Sequence, residues 1–289
     1  VRIVTRGAEV RALSRRVRQS GMSVGFVPTM GSLHEGHLAL IRRARRENHR
    51  IAVSVFVNPL QFGPKEDFAS YPRDEVSDVR ACRDAGCDWL FMPRPRSLYP
   101  AGFATTLDPG PLGEIWEGTA RPGHFRGVAT VVIKLLNLVE ADVLYLGQKD
   151  LQQARVIQGM VRDLDLPVRV SVCPTIRERD GLALSSRNVY LSTTERERAP
   201  GLIHAMREGR DLARSGVTEA RRILARVRGA LRREARPDKV DYLAVVDPAT
   251  LLPVTRVDRA GAFLIGAVRI GKTRLIDNLY FRARAKGRG

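Results

Sequence analysis

Residues 22–58, "MSVGFVPTMGSLHEGHLALIRRARRENHRIAVSVFVN", change their hydrophobic period twice. The segment 22–29 is a short apolar, β-branched run; 37–47 then places Leu38, Leu40, Ile41 and Ala44 on one helical face; 51–58 is apolar and β-branched again. A strand, a helix and a strand at this spacing form a crossover unit. The helix returns the chain so that the second strand runs parallel to the first.

The same alternation continues on both sides. "VRIVTRGAEVRALSRRVRQSG" (1–21) predicts a short strand and an amphipathic helix, and lacks the uninterrupted apolar core and cleavage pattern of a signal peptide. "DEVSDVRACRDAG" (74–86) predicts a helix closed by Gly86, and "CDWLFMP" (87–93) a strand. A Pro/Gly-rich connection (93–125) precedes a helix at 127–139, a strand at 141–147, a helix at 150–164 and a strand at 168–175. Strands alternating with helices predict an α/β fold with a Rossmann-like parallel sheet. That domain is expected to span 1–176. Beyond it, arginine-rich helices at 194–214 and 217–235 and the β-rich segments "KVDYLAVVD" and "GAFLIGAVRIGKTRLIDNLYF" predict a smaller α+β C-terminal lid domain, 177–289. A length of 289 residues agrees with about two domains.

Composition excludes several classes. No uncharged apolar run reaches the roughly 18 residues of a membrane span. Cys82, Cys87 and Cys173 are odd in number and form no CxxC, which fits a reducing cytoplasm better than a disulfide framework or zinc ribbon. The net charge of +18 raises the question of nucleic acid. Yet the arginines are spread along amphipathic helices, without an RNP, zinc-finger or helix-turn-helix signature. They read as solvated faces. The basic tail "RARAKGRG" (282–289) is expected to be disordered.

In an open parallel sheet, ligands bind beyond the carboxyl ends of the strands. The segments there are "PTMGSLHEGH" (28–37), "NPLQFG" (58–63), "GQKD" (147–150) and "PTIRERDGLALSSRN" (174–188). They are rich in cations and neutral donors and poor in nucleophiles, the bias that phosphoryl and nucleotidyl transfer require. The GxGxxG fingerprint is absent, and Gly271-Lys272 lacks the upstream glycine of a P-loop. His34 and His37 are spaced i,i+3, unlike the i,i+4 pair of HExxH, and no third ligand is near in sequence. A helix cap or a packed pair is one reading of these histidines. A phosphate cradle at a helix N-terminus is the favoured one.

At this point "PTMGSLHEGH" resembles the HIGH-type motif of the nucleotidylyltransferase superfamily, and "LSSR" (184–187) its second phosphate loop, with Leu184 where many members have Lys. Together with "FVNPLQFGPKEDFASYPRD", "RPGHFRGVATVV", "GQKDLQQ" and "DGLALSSRNVYL", the chain resembles the pantothenate synthetase (pantoate–β-alanine ligase) family over essentially its whole length. The resemblance implies an ATP-dependent ligase that joins (R)-pantoate to β-alanine through a pantoyl adenylate, releasing pyrophosphate and AMP. It implies Mg2+ with ATP, a homodimer, and neither membrane nor nucleic-acid partners. Another nucleotidylyltransferase of the superfamily, or a non-catalytic basic nucleic-acid-binding protein, stands as the alternative.

By the same resemblance, His37, His34 and Lys149 are the catalytic residues. ATP is assigned to Met30, Gly31, Ser32, Leu33, His34, Glu35, Gly36 and His37, to Gly147, Gln148, Lys149 and Asp150, and to Ile176, Leu184, Ser185, Ser186 and Arg187. Gln61 and Gln153, with Pro28, Thr29 and Met30, are assigned to pantoate and β-alanine, and Asp78 and Asp150 to Mg2+. Gln148 and Leu151 depart from the family's usual Glu and aromatic residue, beside functional positions. Lys149 is one of only six lysines among 49 cationic residues, which makes a lysine inside a matching motif less ordinary.

Overall fold

The computed structural model describes residues 1–64 and 66–283; the expected disordered tail lies outside them from residue 284 on. The elements in chain order are β1 (Arg2–Val4), α1 (Gly7–Gln19), β2 (Val24–Thr29), α2 (Glu35–Glu47), β3 (Arg50–Val55), α3 (Glu75–Asp84), β4 (Trp89–Phe91), α4 (Pro95–Leu98), α5 (Glu117–Ala120), α6 (His124–Val139), β5 (Val143–Gly147), α7 (Leu151–Asp163) and β6 (Arg169–Cys173). They continue as α8 (Thr193–Arg198), α9 (Gly201–Arg214), α10 (Ala220–Glu234), β7 (Lys239–Val246), β8 (Ala262–Ile270) and β9 (Thr273–Phe281). The chain forms two compact units, Val1–Gln148 with Gln152–Pro174, and Lys149–Leu151 with Thr175–Gly289.

In the first unit six strands form one sheet in the order β1-β4-β3-β2-β5-β6, every pairing parallel. Both faces are covered, so successive strand residues enter opposite cores. Phe26, Ala52, Phe91 and Leu144 pack with residues of α1, α6 and α7; Val27, Ile51, Val53, Leu90, Val143 and Tyr145 pack with α2 and α3. This two-sided burial explains why the strands read as continuous apolar runs. The chain builds β2, β3 and β4 in one direction, then places β5 and β6 on the other side of β2. The reversal between β2 and β5 is the switch point at which such sheets bind ligands. The segments after β2, β3 and β5 start from neighbouring strands on that edge.

The Pro/Gly-rich connection is pinned by Gln152. Its Oε1 accepts from Glu117 N at 3.0 Å, and its Nε2 donates to the carbonyls of Leu112 and Ile115 at 2.8 Å each.

The second unit is a three-stranded antiparallel sheet, β7-β8-β9, with α9 and α10 packed on one face through Leu202, Met206, Ile223 and Val227. The single helix expected at 194–214 is two, α8 and α9, because Pro200 has no N–H to continue the first. The helix expected from 217 starts at Ala220. Upstream of it the backbone is paired elsewhere: Val257 N donates to Thr218 O at 2.8 Å and Ala220 N to Thr255 O at 2.9 Å. Many of the arginines lie in ion pairs, such as Arg226 and Arg233 on Glu208 and Arg15 on Glu140.

One close approach ties α6 to the segment after β3. A Cβ on Gly127 would lie 2.1 Å from Leu60 O, so only glycine lets the helix come this near. Gly127→Ala is expected to cost about 1–3 kcal/mol of stability in urea unfolding. Gly159→Ala, in α7 where a Cβ meets nothing within 4 Å, should stabilise by about 0.5–1 kcal/mol.

Candidate active site

The loop after β2 is built around one carboxylate. Asp78, on α3 and 2% exposed, accepts from Ser32 N at 3.0 Å and Leu33 N at 2.8 Å. Gly31 and Ser32 both adopt left-handed φ, 84° and 50°. A Cβ on Gly31 would meet Asp78 Oδ2 at 2.7 Å, so glycine is required there. Burial raises the Asp78 carboxyl above its ordinary range, against the two backbone N–H bonds. Each of its oxygens accepts from a backbone donor, and it serves as the loop's clasp. Among the described residues no group of three or more His, Cys, Asp or Glu could hold a metal ion.

The clasp delivers the chain to α2 with His34 as its N-cap. His34 Nδ1 accepts from Gly36 N at 3.1 Å, and His37 Nδ1 accepts from His34 N at 3.3 Å. This is a capping box with imidazoles in place of the usual Ser/Thr and Glu/Gln. The rings lie against each other at a tilt of 34°, with centroids 4.2 Å apart. An Nδ1 that accepts carries no proton, so each neutral ring bears its proton on Nε2. The cap and the phosphate-cradle readings are therefore compatible: folding uses Nδ1 as acceptor, and Nε2 is the donor of each ring. Glu35 pairs with Arg42. Thr29 donates from Oγ1 to Ser54 O at 2.8 Å and accepts from Gly31 N at 3.2 Å.

After β3, Gln61 is buried and its amide is oriented. Tyr99 OH donates to Asn58 Oδ1 at 2.7 Å, and Asn58 Nδ2 donates to Gln61 Oε1 at 3.0 Å and Gly127 O at 3.1 Å. Gln61 Nε2 is turned to Met30 Sδ, 3.1 Å away. The structure thus joins two segments expected to hold pantoate. Gln153 lies on α7 beside Gln152, which takes the structural bonds described above.

Behind Gln61 sits a partly buried ion pair. Arg121 grips Glu66 through Nε (2.6 Å) and Nη2 (2.7 Å). Burial opposes ionisation of Glu66, but Arg121 outweighs it and holds the carboxyl below its usual range. Arg121 Nη1 lies 3.0 Å from His124 Nε2; arginine can only donate, so Nε2 accepts and Nδ1–H donates to Gln61 O at 2.8 Å. Burial, aided by Arg121, lowers His124 to about 4.

Gly147 and Gln148 end the first stretch of the first unit, and the second unit holds Lys149, Asp150, Ile176, Leu184, Ser185, Ser186 and Arg187. Lys149 Nζ lies 3.5 Å from Asp150 Oδ1, and both precede α7. A hairpin is closed by Leu184 N to Ile176 O at 3.0 Å and Glu178 N to Leu182 O at 2.8 Å. It leads into Ser185, whose Oγ caps the short turn Ser186–Tyr190 by accepting from Arg187 N at 3.3 Å.

The family model described as Pantoate-beta-alanine ligase matches residues 2–280. The chain belongs to the pantoate–β-alanine ligase family. It is 50% identical to the pantothenate synthetase of Syntrophotalea carbinolica over 274 residues, 94% of this chain and 96% of that protein. The Koribacter versatilis pantothenate synthetase is 46% identical over 289 residues, 100% of this chain and 99% of that one. Among solved structures, a pantothenate synthetase of Thermus thermophilus superposes with a TM-score of 0.90 at 51% identity, covering 96% of this chain and 99% of that one. The Francisella tularensis pantoate-β-alanine ligase, complexed with β-γ ATP and β-alanine, gives 0.79 at 32% identity, with 97% of each chain covered.

As a pantoate–β-alanine ligase, the chain is an ATP-using enzyme of pantothenate biosynthesis. Sequence reasoning missed Asn58, Tyr99, Arg121 and His124 as individual residues, though three of the four lie in segments that carried the resemblance. His124 gives a pH signature. An unfolded histidine titrates near 6.5, whereas the folded one stays neutral down to about 4. Stability from this group is whole above the unfolded value and is lost as pH falls between the two, on the order of 3 kcal/mol. Urea unfolding across this window should show the loss. His124→Asn, which can still donate to Gln61 O, should flatten it.

Proposed function

We propose that this ligase works through a pantoyl adenylate. In the first step a pantoate carboxylate oxygen attacks the α-phosphorus of Mg·ATP, the bond to the bridging oxygen breaks, and pyrophosphate leaves. The nucleophile is already an anion. The protein therefore needs no base here, only donors that offset charge gathering on phosphate oxygens.

The observation that carries this reading is the imidazole capping box at the start of α2. Two Nε2–H donors at a helix N-terminus, where the dipole favours anions, suit a triphosphate. His37 donates to the phosphates as pyrophosphate departs, and His34 assists. Lys149 offsets the α-phosphate charge; Ser185, Ser186 and Arg187 hold the β- and γ-phosphates. Gly147, Gln148 and Asp150 lie at the ribose and base, with the Ile176 backbone. Gln61, its Oε1 held by Asn58, presents Nε2 to a pantoate hydroxyl, and Gln153 meets the other. Met30 lies between the two substrates.

Mg2+ would arrive with the nucleotide and offset charge on its phosphates. Asp78 and Asp150 are the candidate carboxylates for it. In the second step the β-alanine amine attacks the acyl carbon, the acyl–phosphate bond breaks, and AMP leaves. The ammonium, with a pKa near that of lysine at about 10, first passes its proton to water or the adenylate phosphate. A homodimer in the cytoplasm is expected from the resemblance, and gel filtration tests the assembly.

Pantoate-dependent exchange of labelled pyrophosphate into ATP tests the mechanism, followed by AMP release on adding β-alanine. Folded protein with Mg2+ should exchange before any amine is present. Absence of exchange would remove the adenylate. His37→Ala and Lys149→Ala should each lower exchange by about 10²-fold or more while staying folded; near-normal rates would refute the assigned roles.

A further inference from the structure

We infer that Asn278, on the C-terminal strand β9, is a positioning residue for Lys149, an inference that rests on the proposed role of Lys149 at the α-phosphate. Successive strand residues face opposite sides of a sheet. Asp277 shares its face with Leu275 and Phe281 of the second unit's core, and Asn278 shares the other with Ile276 and Tyr280. An apolar residue fits the core-facing pattern at 277. Instead the strand carries two polar side chains in succession, 6% and 3% exposed, a costly placement unless both are hydrogen-bonded.

Both are. Asp277 forms a two-pronged ion pair with Arg177, Oδ2 to Nη1 at 2.6 Å and Oδ1 to Nη2 at 2.7 Å. Arg177 also donates to Gly181 O at 3.0 Å within the hairpin and to Asn278 O at 3.4 Å. Asp277 Oδ1 accepts from Asn278 N at 2.7 Å. The backbone of Asn278 is thus held at its N–H by the carboxylate and at its carbonyl by the guanidinium. From this fixed base Asn278 Nδ2 donates to Lys149 O at 3.1 Å. Lys149 sits in a one-turn segment, Gln148–Asp150, with no regular ladder of its own. The amide supplies the anchor that sets where its side chain begins.

A double-mutant cycle tests this. Asn278→Ser is too short to reach the Lys149 carbonyl, and Asn278→Thr is a second variant of greater bulk. Each should lower pantoate-dependent pyrophosphate exchange about tenfold, with the KM for pantoate within twofold and the melting temperature nearly unchanged. ATP affinity, read by calorimetry, should be no weaker in Lys149→Ala/Asn278→Ser than in Lys149→Ala alone, since Asn278 acts through Lys149. Additive losses would mark a general structural role and overturn the inference, as would loss of the fold in both variants or exchange within twofold of the unaltered protein. Failure of the unaltered protein to exchange would instead overturn the adenylate reading.

Discussion

The bond pair from Asp78 to the Ser32 and Leu33 amides is the constraint on which the site depends. Residues 31 and 32 hold a left-handed backbone that, for serine, is unfavourable without outside support. A buried carboxylate supplies it from a different helix, at the expense of its own hydration. Without that support the chain has no fixed path from β2 to α2, and His34 has no fixed place as a cap. The sheet determines where the strand ends. The clasp determines where the histidines begin.

A second theme is that the amides and imidazoles of the candidate site are oriented by hydrogen bonds within the protein. Tyr99 acts on Asn58, and Asn58 acts on Gln61, so an amide that could present either end presents its nitrogen. His124 holds the Gln61 carbonyl from behind, with its tautomer dictated by Arg121. Each arrangement removes one rotational choice before a substrate arrives, which is how a site lowers the entropy cost of binding.

Much of this is legible in the sequence. The parallel sheet follows from period changes at 22–58 and 127–175, because two-sided burial leaves a continuous apolar trace. The histidine pair is legible because its segment falls between a strand and a helix. The clasp role of Asp78 is not legible in one dimension, because the amides it holds lie 46 and 45 residues away and only the fold brings them together. The break at Pro200 is visible as a residue yet easily passed over, because amphipathic spacing continues through it. Asn278 is invisible for a different reason: its partner, Lys149, is distant in sequence, and no periodicity links them.

The imidazole capping box also sets stability and chemistry in competition for one position. Histidine is not among the preferred N-cap residues; asparagine, aspartate and serine are better. An asparagine at 34 would retain an oxygen for the Gly36 amide and make a sounder helix start, yet it would remove the ring N–H on the other side. The first turn of α2 is therefore held below its attainable stability. A sequence optimised for thermal resistance alone would drift away from histidine here and lose a ring N–H donor without loosening the fold.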